Sequence, residues 1–198
     1  MPEFGDIQFT VQKAFVASYN DSTNEFTNPA EIEYVTEFSF TPLMDEDEIK
    51  AQGANREKLA VVIGAESTLG EASLKAAAYN IAMGYTESTS GASGNRVRTT
   101  DASGAGRGKP YVGLIVVVMA TIGQVVYGFP KSKLKSDQEF EAGINEFRTG
   151  ELEFEHLCLP TSNHYKRMKK IEADGDVPDF SQASAWTTFF TVPDSLFT

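Results

Sequence analysis

Apolar and polar residues alternate with period two along most of the chain. Ile7, Phe9, Val11, Phe15, Ala17 and Tyr19 interleave with Gln8, Thr10, Gln12 and Ser18, the pattern of a half-buried strand. The turn formers Asn20-Asp21-Ser22-Thr23-Asn24 end it. A second strand sets Ile32, Tyr34, Thr36, Phe38 and Phe40 on one face and Glu31, Glu33, Val35, Glu37 and Ser39 on the other, so one face is acidic. Thr41-Pro42 should stop this strand, and Asp45-Glu46-Asp47-Glu48 with Gly53 reads as a charged loop. Leu59 to Ile63 is a short β-branched run, and Val112 to Ala120 is apolar on both faces, as in a central strand. Thr121 to Gln124 predicts a tight turn, with Val125, Val126, Tyr127 and Phe129 returning antiparallel. Lys131, Lys133 and Lys135 alternate with Ser132, Leu134 and Ser136, which predicts an exposed basic edge. In the last clear strand Leu152, Phe154 and His156 face one way and Glu151, Glu153 and Glu155 the other.

Only one segment carries a convincing helical pattern. Thr68-Leu-Gly-Glu71 has the form of a capping box, Leu74, Ala77, Ala78, Ile81 and Ala82 recur at three- and four-residue spacing, and Gly84 stands where a left-handed cap belongs. The spacing predicts a helix over about 68–83. The polar stretch from Ser88 to Gly108, with Arg96, Arg98 and Arg107, predicts a long loop over 86–109, and Ser136 to Gly150 a further loop. Beyond Pro160 come the basic cluster Lys166-Arg-Met-Lys-Lys170, a turn at Asp174-Gly-Asp176, and a short apolar strand or docking segment over Ala185 to Val192 that holds Trp186 and Phe189. The expected fold is mainly β: an antiparallel sandwich or partial barrel with one flanking helix and long loop or arm extensions. Residues 1–160 would form the domain, and 161–198 an arm packed on its own or a neighbouring subunit.

Composition narrows the chemistry. At 41% hydrophobic and 23% charged residues the chain is ordinary for a globular protein. A net charge of -11 and a pI near 4.6 argue against a surface that grips phosphates. They suit one that lies beside DNA without holding it. The longest apolar run, Leu114 to Ala120, is too short to span a bilayer, so no membrane partner is expected. Cys158 is the only cysteine and His156 and His164 the only histidines, so no zinc motif is formed. His156 on an apolar strand face reads as a core or interface histidine. The run Asp45 to Glu48 lacks the ligand spacing of a calcium loop. Val62-Ile63-Gly64-Ala65-x-Ser67-x-x-Gly70 resembles the glycine turn of short-chain dehydrogenases, and Tyr165 with Lys169 has their Tyr-x-x-x-Lys spacing. An NAD(P)-dependent reductase is therefore the alternative from another class. Two alternating strands precede this motif, however, whereas a doubly wound fold puts it on its first strand. No catalytic residue, metal or cofactor is assigned, and the expectation is not an enzyme.

The order of pieces resembles another family. Phe40-Thr-Pro42 followed by acidic residues, Glu57-Lys-Leu-Ala-Val-Val-Ile63, a helix closing at Gly84, Pro110-Tyr-Val-Gly-Leu-Ile-Val116, Phe129-Pro-Lys131 and Phe147-Arg-Thr-Gly-Glu-Leu-Glu-Phe154 together look like a major tail protein, the tail tube subunit of long-tailed bacteriophages. The resemblance covers roughly residues 5 to 160 and is one of spaced segments without an invariant motif. It implies β-sandwich subunits in hexameric rings stacked as a homo-oligomeric tube, in the virion tail after synthesis in the host cytoplasm. Partners would be tape-measure, tail-terminator and distal-tail proteins, and DNA would pass through the lumen. A contractile tail or secretion-system tube would share the fold. On this resemblance part of the set Glu33, Glu37, Glu151, Glu153 and Glu155 would face the lumen, the alternative being solvated outer faces. Arg96, Arg98, Arg107, Trp186 and Phe189 would meet the next ring. The segment after Pro160 has no counterpart in the family pattern.

Overall fold

The computed structural model describes residues 10–50, 56–72, 76–90, 97–101, 109–120, 123–135, 150–159, 166–171 and 175–191. In chain order these form β1 (Thr10–Asn20), β2 (Glu25–Ile32), β3 (Glu37–Lys50), β4 (Arg56–Ala72), α1 (Ala76–Met83), β5 (Thr86–Ser90), β6 (Val97–Asp101), β7 (Val112–Met119), β8 (Gln124–Leu134), β9 (Gly150–Leu157), β10 (Arg167–Ile171) and α2 (Ala183–Thr191). One 8-stranded sheet runs in the order β2-β1-β7-β8-β9-β4-β3, with β10 beside β8, while β5 and β6 make a separate hairpin. The pairings are antiparallel throughout. The fold is thus mainly β, as the alternation predicts.

The sheet curls into a partial barrel. Leu114, Val116 and Val118 of β7 turn inward with Ala14, Val16, Leu69, Leu152 and Phe154, and α1 closes this core with Ala78 and Ala82. Small alanine side chains let the helix approach the strands closely. Phe38 of the edge strand β3 reaches across the interior, its ring 5.4 Å from that of Tyr127 on β8. Phe40 lies 5.6 Å from the same ring.

The second core lies on the other side of the sheet. Ile115 and Val117 join Phe15, Ala17, Tyr19 and Val126 under Phe180, Trp186 and Phe189. That is why β7 is apolar on both faces. Each large ring buried there contributes roughly 2–3 kcal/mol of transfer free energy. Gly113 and Gly128 make the approach possible: a Cβ on Gly113 would fall 2.7 Å from the Trp186 ring, and one on Gly128 only 2.4 Å from Phe189.

Several expectations are corrected. In place of the strand or docking segment expected over Ala185 to Val192, Ala183–Thr191 is a helix. The hydroxyls of Thr187, Thr188 and Thr191 donate to the carbonyls of Ala183, Ser184 and Thr187, four residues back. Asp179 Oδ1 accepts from the backbone and the hydroxyl of Ser181 just ahead of the helix. Two helices, not one, are therefore present among the described residues. α1 begins at Ala76, whereas Thr68 and Glu71 belong to β4. Thr68 sits between Ser39 and Glu153, so the sheet ladder supplies what a cap would have supplied. Gly84 does take the left-handed conformation, φ 72°, and the amide of Tyr85 donates to the Asn80 carbonyl at 2.8 Å.

The strand expected to run through Glu33 breaks at Tyr34, φ 56°, which turns the chain from β2 into β3. β3 does not stop at Thr41-Pro42 but continues to Lys50, so the acidic run Asp45 to Glu48 is strand. Because β3 is an edge strand, proline is tolerated there. The predicted loop 86–109 contains the polar hairpin β5–β6. Lys131 to Lys135 is not an edge: β8 lies inside the sheet, and Lys131 is buried against Asp21 at 2.6 Å.

Candidate functional site: an uncovered acidic sheet face

α2 covers the outer face of the sheet over β1, β7 and the first half of β8. The rest of that face, across β3, β4, β9 and the end of β8, has no cover among the described residues. Its side chains come in rows fixed by strand register. Thr41, Glu66, Glu155 and Lys133 form one row, and Ser39, Thr68 and Glu153 the next. Glu37 stands opposite Gly70 beyond them, and Glu151 shares the face of Glu153 by the period of two. Glu37, Glu151 and Glu153 are exposed, while the intervening Leu152, Phe154 and His156 are buried. Thus β9 alternates as its sequence predicts.

Lys135 is the cation best held on this face. Its Nζ contacts Glu66 Oε1 at 2.6 Å, and its backbone N–H donates to the Glu153 carbonyl at 2.7 Å. The hydrogen bond to Glu66, helped by the charges of Glu66, Glu153 and Glu155, pushes the Lys135 ammonium above the ordinary lysine range, so it stays charged. Five carboxylates, Glu37, Glu66, Glu151, Glu153 and Glu155, share the face with two ammonium groups, Lys133 and Lys135. Neighbours within a row stand about 4.8 Å apart and successive rows about 6.8 Å apart, both within one Debye length in physiological salt, so these charges act together.

Beneath the rows His156 binds three strands together. Its Nδ1 lies 2.7 Å from the Ser132 hydroxyl on β8 and its Nε2 2.7 Å from the Ser67 hydroxyl on β4. Its ring stacks on Phe129 at 3.8 Å. Each hydroxyl can donate or accept, so a neutral imidazole is satisfied in either tautomer. Burial lowers its pKa from 6.5 to about 3, keeping the ring uncharged.

The other predicted site residues lie apart from this face. Glu33 lines an open cleft of about 380 Å³ with Val11, Lys13, Glu31 and Tyr34, where β2 hands over to β3. Trp186 and Phe189 are 0% and 2% exposed, so α2 packs on the sheet of its own chain. Arg98 lies in β6 opposite Thr89, and Arg96 and Arg107 fall outside the described residues. The glycine motif has no turn: Gly64 and Gly70 are both within β4, paired with β3. Lys169 is in β10, its amine 5.0 Å from the Phe189 ring, and Tyr165 lies outside the described residues. Glu66, which the glycine-turn reading hides, was legible as the polar partner in the alternation Ala65, Glu66, Ser67, Thr68, Leu69. No known protein-family pattern matches the chain, and no curated protein sequence is similar to it.

Proposed function

We propose that this chain is a structural subunit of a phage-type tail tube, joined as rings around a lumen that conducts DNA. The observation that carries the reading is the uncovered face bearing Glu37, Glu66, Glu151, Glu153 and Glu155. Duplex DNA presents a negative charge about every 1.7 Å along its axis, and each lysine or arginine that settles on a phosphate adds to its retention. A carboxylate face whose Lys135 is held by Glu66, and whose Lys133 amine lies over the Tyr111 ring, lowers that retention. The sheet also ends in two edge strands, β2 and β3, which supports joining copies side by side by strand pairing. The order of segments that resembles major tail proteins points the same way.

Electron microscopy of the purified, concentrated protein tests the proposal. Sixfold rings or tubes with an open lumen are the expected result. A species that remains a monomer or dimer by sedimentation at every concentration, with no rings in the micrographs, overturns it.

A further inference from the structure

The sheet forks at Gly64 and Leu157. On one side β8 is paired with β7. On the other it pairs first with β10, from Gln124–Ile171 to Gly128–Arg167, and then with β9, from Ser132–His156 to Leu134–Phe154. β10 therefore continues the line of β9 along β8. β4 pairs with β9 only from Gly64 onward, and its residues 56–63 pair only with β3 among the described residues, forming a two-stranded ribbon. The edge of β10 away from β8 and the edge of β4 away from β3 thus have no ladder partner there among the described residues. At its apex Cys158 Sγ donates to the carbonyl of Ile63 at 3.3 Å. Ile63 is 52% exposed and Met168 on β10 is 54% exposed.

We propose that the fork takes one further β-strand, supplied by a second copy of this chain as the outer edge of its β3 over Asp45–Lys50. Open strand edges are templates for such additions, and opposite charges across a pair strengthen them. The donor run reads Asp45-Glu46-Asp47-Glu48, whereas the acceptor edges carry in sequence Lys170 on β10 and Arg56 and Lys58, with Glu57 between them, on β4; of the other β10 cations, Arg167 donates to the Phe190 carbonyl and Lys169 lies over the Phe189 ring. β2, the other open edge, is a poorer donor because Asn28 has φ 51° and Pro29 follows it, which breaks its ladder edge. Donor and acceptor are different surfaces, so the contact is head-to-tail and propagates into a ring or a filament. It stands on the fork itself and would hold for any such assembly of this chain.

A charge swap tests it. Met168→Glu with Lys170→Glu shifts the acceptor by three charges toward the acidic side, and Asp45→Lys with Asp47→Lys shifts the donor by four toward the basic side. Thermal melting of each full-length variant first establishes that it is folded. Each pair of substitutions alone is expected to weaken self-association in sedimentation by at least about tenfold, and mixing the two variants should restore heterotypic association to within about threefold of the wild type. Unchanged association in both variants, or loss in both without recovery on mixing, overturns the proposal, as does a wild-type chain that stays monomeric up to about 100 μM. Sixfold rings formed by either variant alone would refute the fork contact and leave the tube reading standing. Recovery on mixing in oligomers that never form rings would do the opposite.

Discussion

The buried imidazole of His156 makes the acid stability of this fold predictable. Folded, the ring is fully enclosed between Ser67, Ser132 and Phe129 and titrates at about 3, against the ordinary 6.5. The charged groups nearest in the rows, Glu66, Glu155 and Lys133, stand on the opposite face of the sheet, and the inward neighbours are hydroxyls and aromatic rings. Between those two values the unfolded chain binds the proton and the folded chain does not. Stability contributed by the neutral ring is therefore complete above about pH 6.5 and is lost as the pH falls toward 3. From pH 7.5 to 5.5 the loss from this one group is about 1.4 kcal/mol. The lower pH stays clear of the pI near 4.6, where solubility would fail. Urea unfolding followed by the fluorescence of Trp186, the only tryptophan and fully buried, reads this directly. With a slope of about 2 kcal/mol/M, the midpoint should drop by roughly 0.7 M more in the wild type than in His156→Asn over the same pH step. Subtracting the variant removes the carboxylates, which titrate in both. Midpoints that fall in parallel would refute the reasoning, because the histidine would then bind its proton equally in both states.

Two further outcomes follow from the packing and the charge rows. Gly128→Ala would put a methyl group 2.4 Å from Phe189 and 2.8 Å from Phe190, and displacing α2 should cost about 1–3 kcal/mol, seen as a lower melting temperature and a red-shifted Trp186 emission. Glu151→Lys, Glu153→Lys and Glu155→Lys together should raise affinity for duplex DNA at least about tenfold, with a salt dependence steeper by up to about 0.9 per added phosphate contact. Assembled tubes carrying these changes should release DNA more slowly. Unaltered affinity would mean that this face does not govern contact with DNA.

How much was legible depends on how local the cause was. β7 could be read because an unbroken Val112 to Val118 run has no use except burial on both sides. β9 could be read because its alternation is regular. The capping-box reading of Thr68 to Glu71 failed because the same four residues also satisfy a strand: Leu69 is buried inward while Thr68 and Gly70 face out. Which pattern wins is decided by β3 and β9, both distant in sequence. In α2 the threonines and phenylalanines have strong β propensity, yet Trp186, Phe189 and Phe190 already stood at helical spacing, and the demand of β1 and β7 for cover prevailed. The left-handed turn at Tyr34 had no signal, since nothing in that residue favours a positive φ. The acidic site was half legible. Glu151, Glu153 and Glu155 follow from alternation, as does the outward side of Glu66 in its own strand, but that Glu66 and Lys135 stand beside them is decided by register between strands distant in sequence.

A single irregularity separates the covered half of the sheet from the bare one. Leu114 pairs with Phe129 and Val112 with Ser132, so β8 carries one residue more than β7 between those positions. Without the extra residue, Phe129 and Ser132, three apart, would point to opposite faces. With it Phe129, Ser132 and Leu134 are all buried, Ser132 can meet His156, and Lys133 emerges beside Glu155. Lys131, at the shift itself, is buried, neutralised by Asp21 and lies with its amine 4.3 Å from the Tyr111 ring. Before the bulge the outer face needs α2, because Val126 and Gly128 meet aromatic rings there. After it, the outer face is polar and can be left to solvent. The bulge therefore sets where packing ends and the charged surface begins, which lets one sheet serve as a core wall over half its width and as an acidic, uncovered face over the rest.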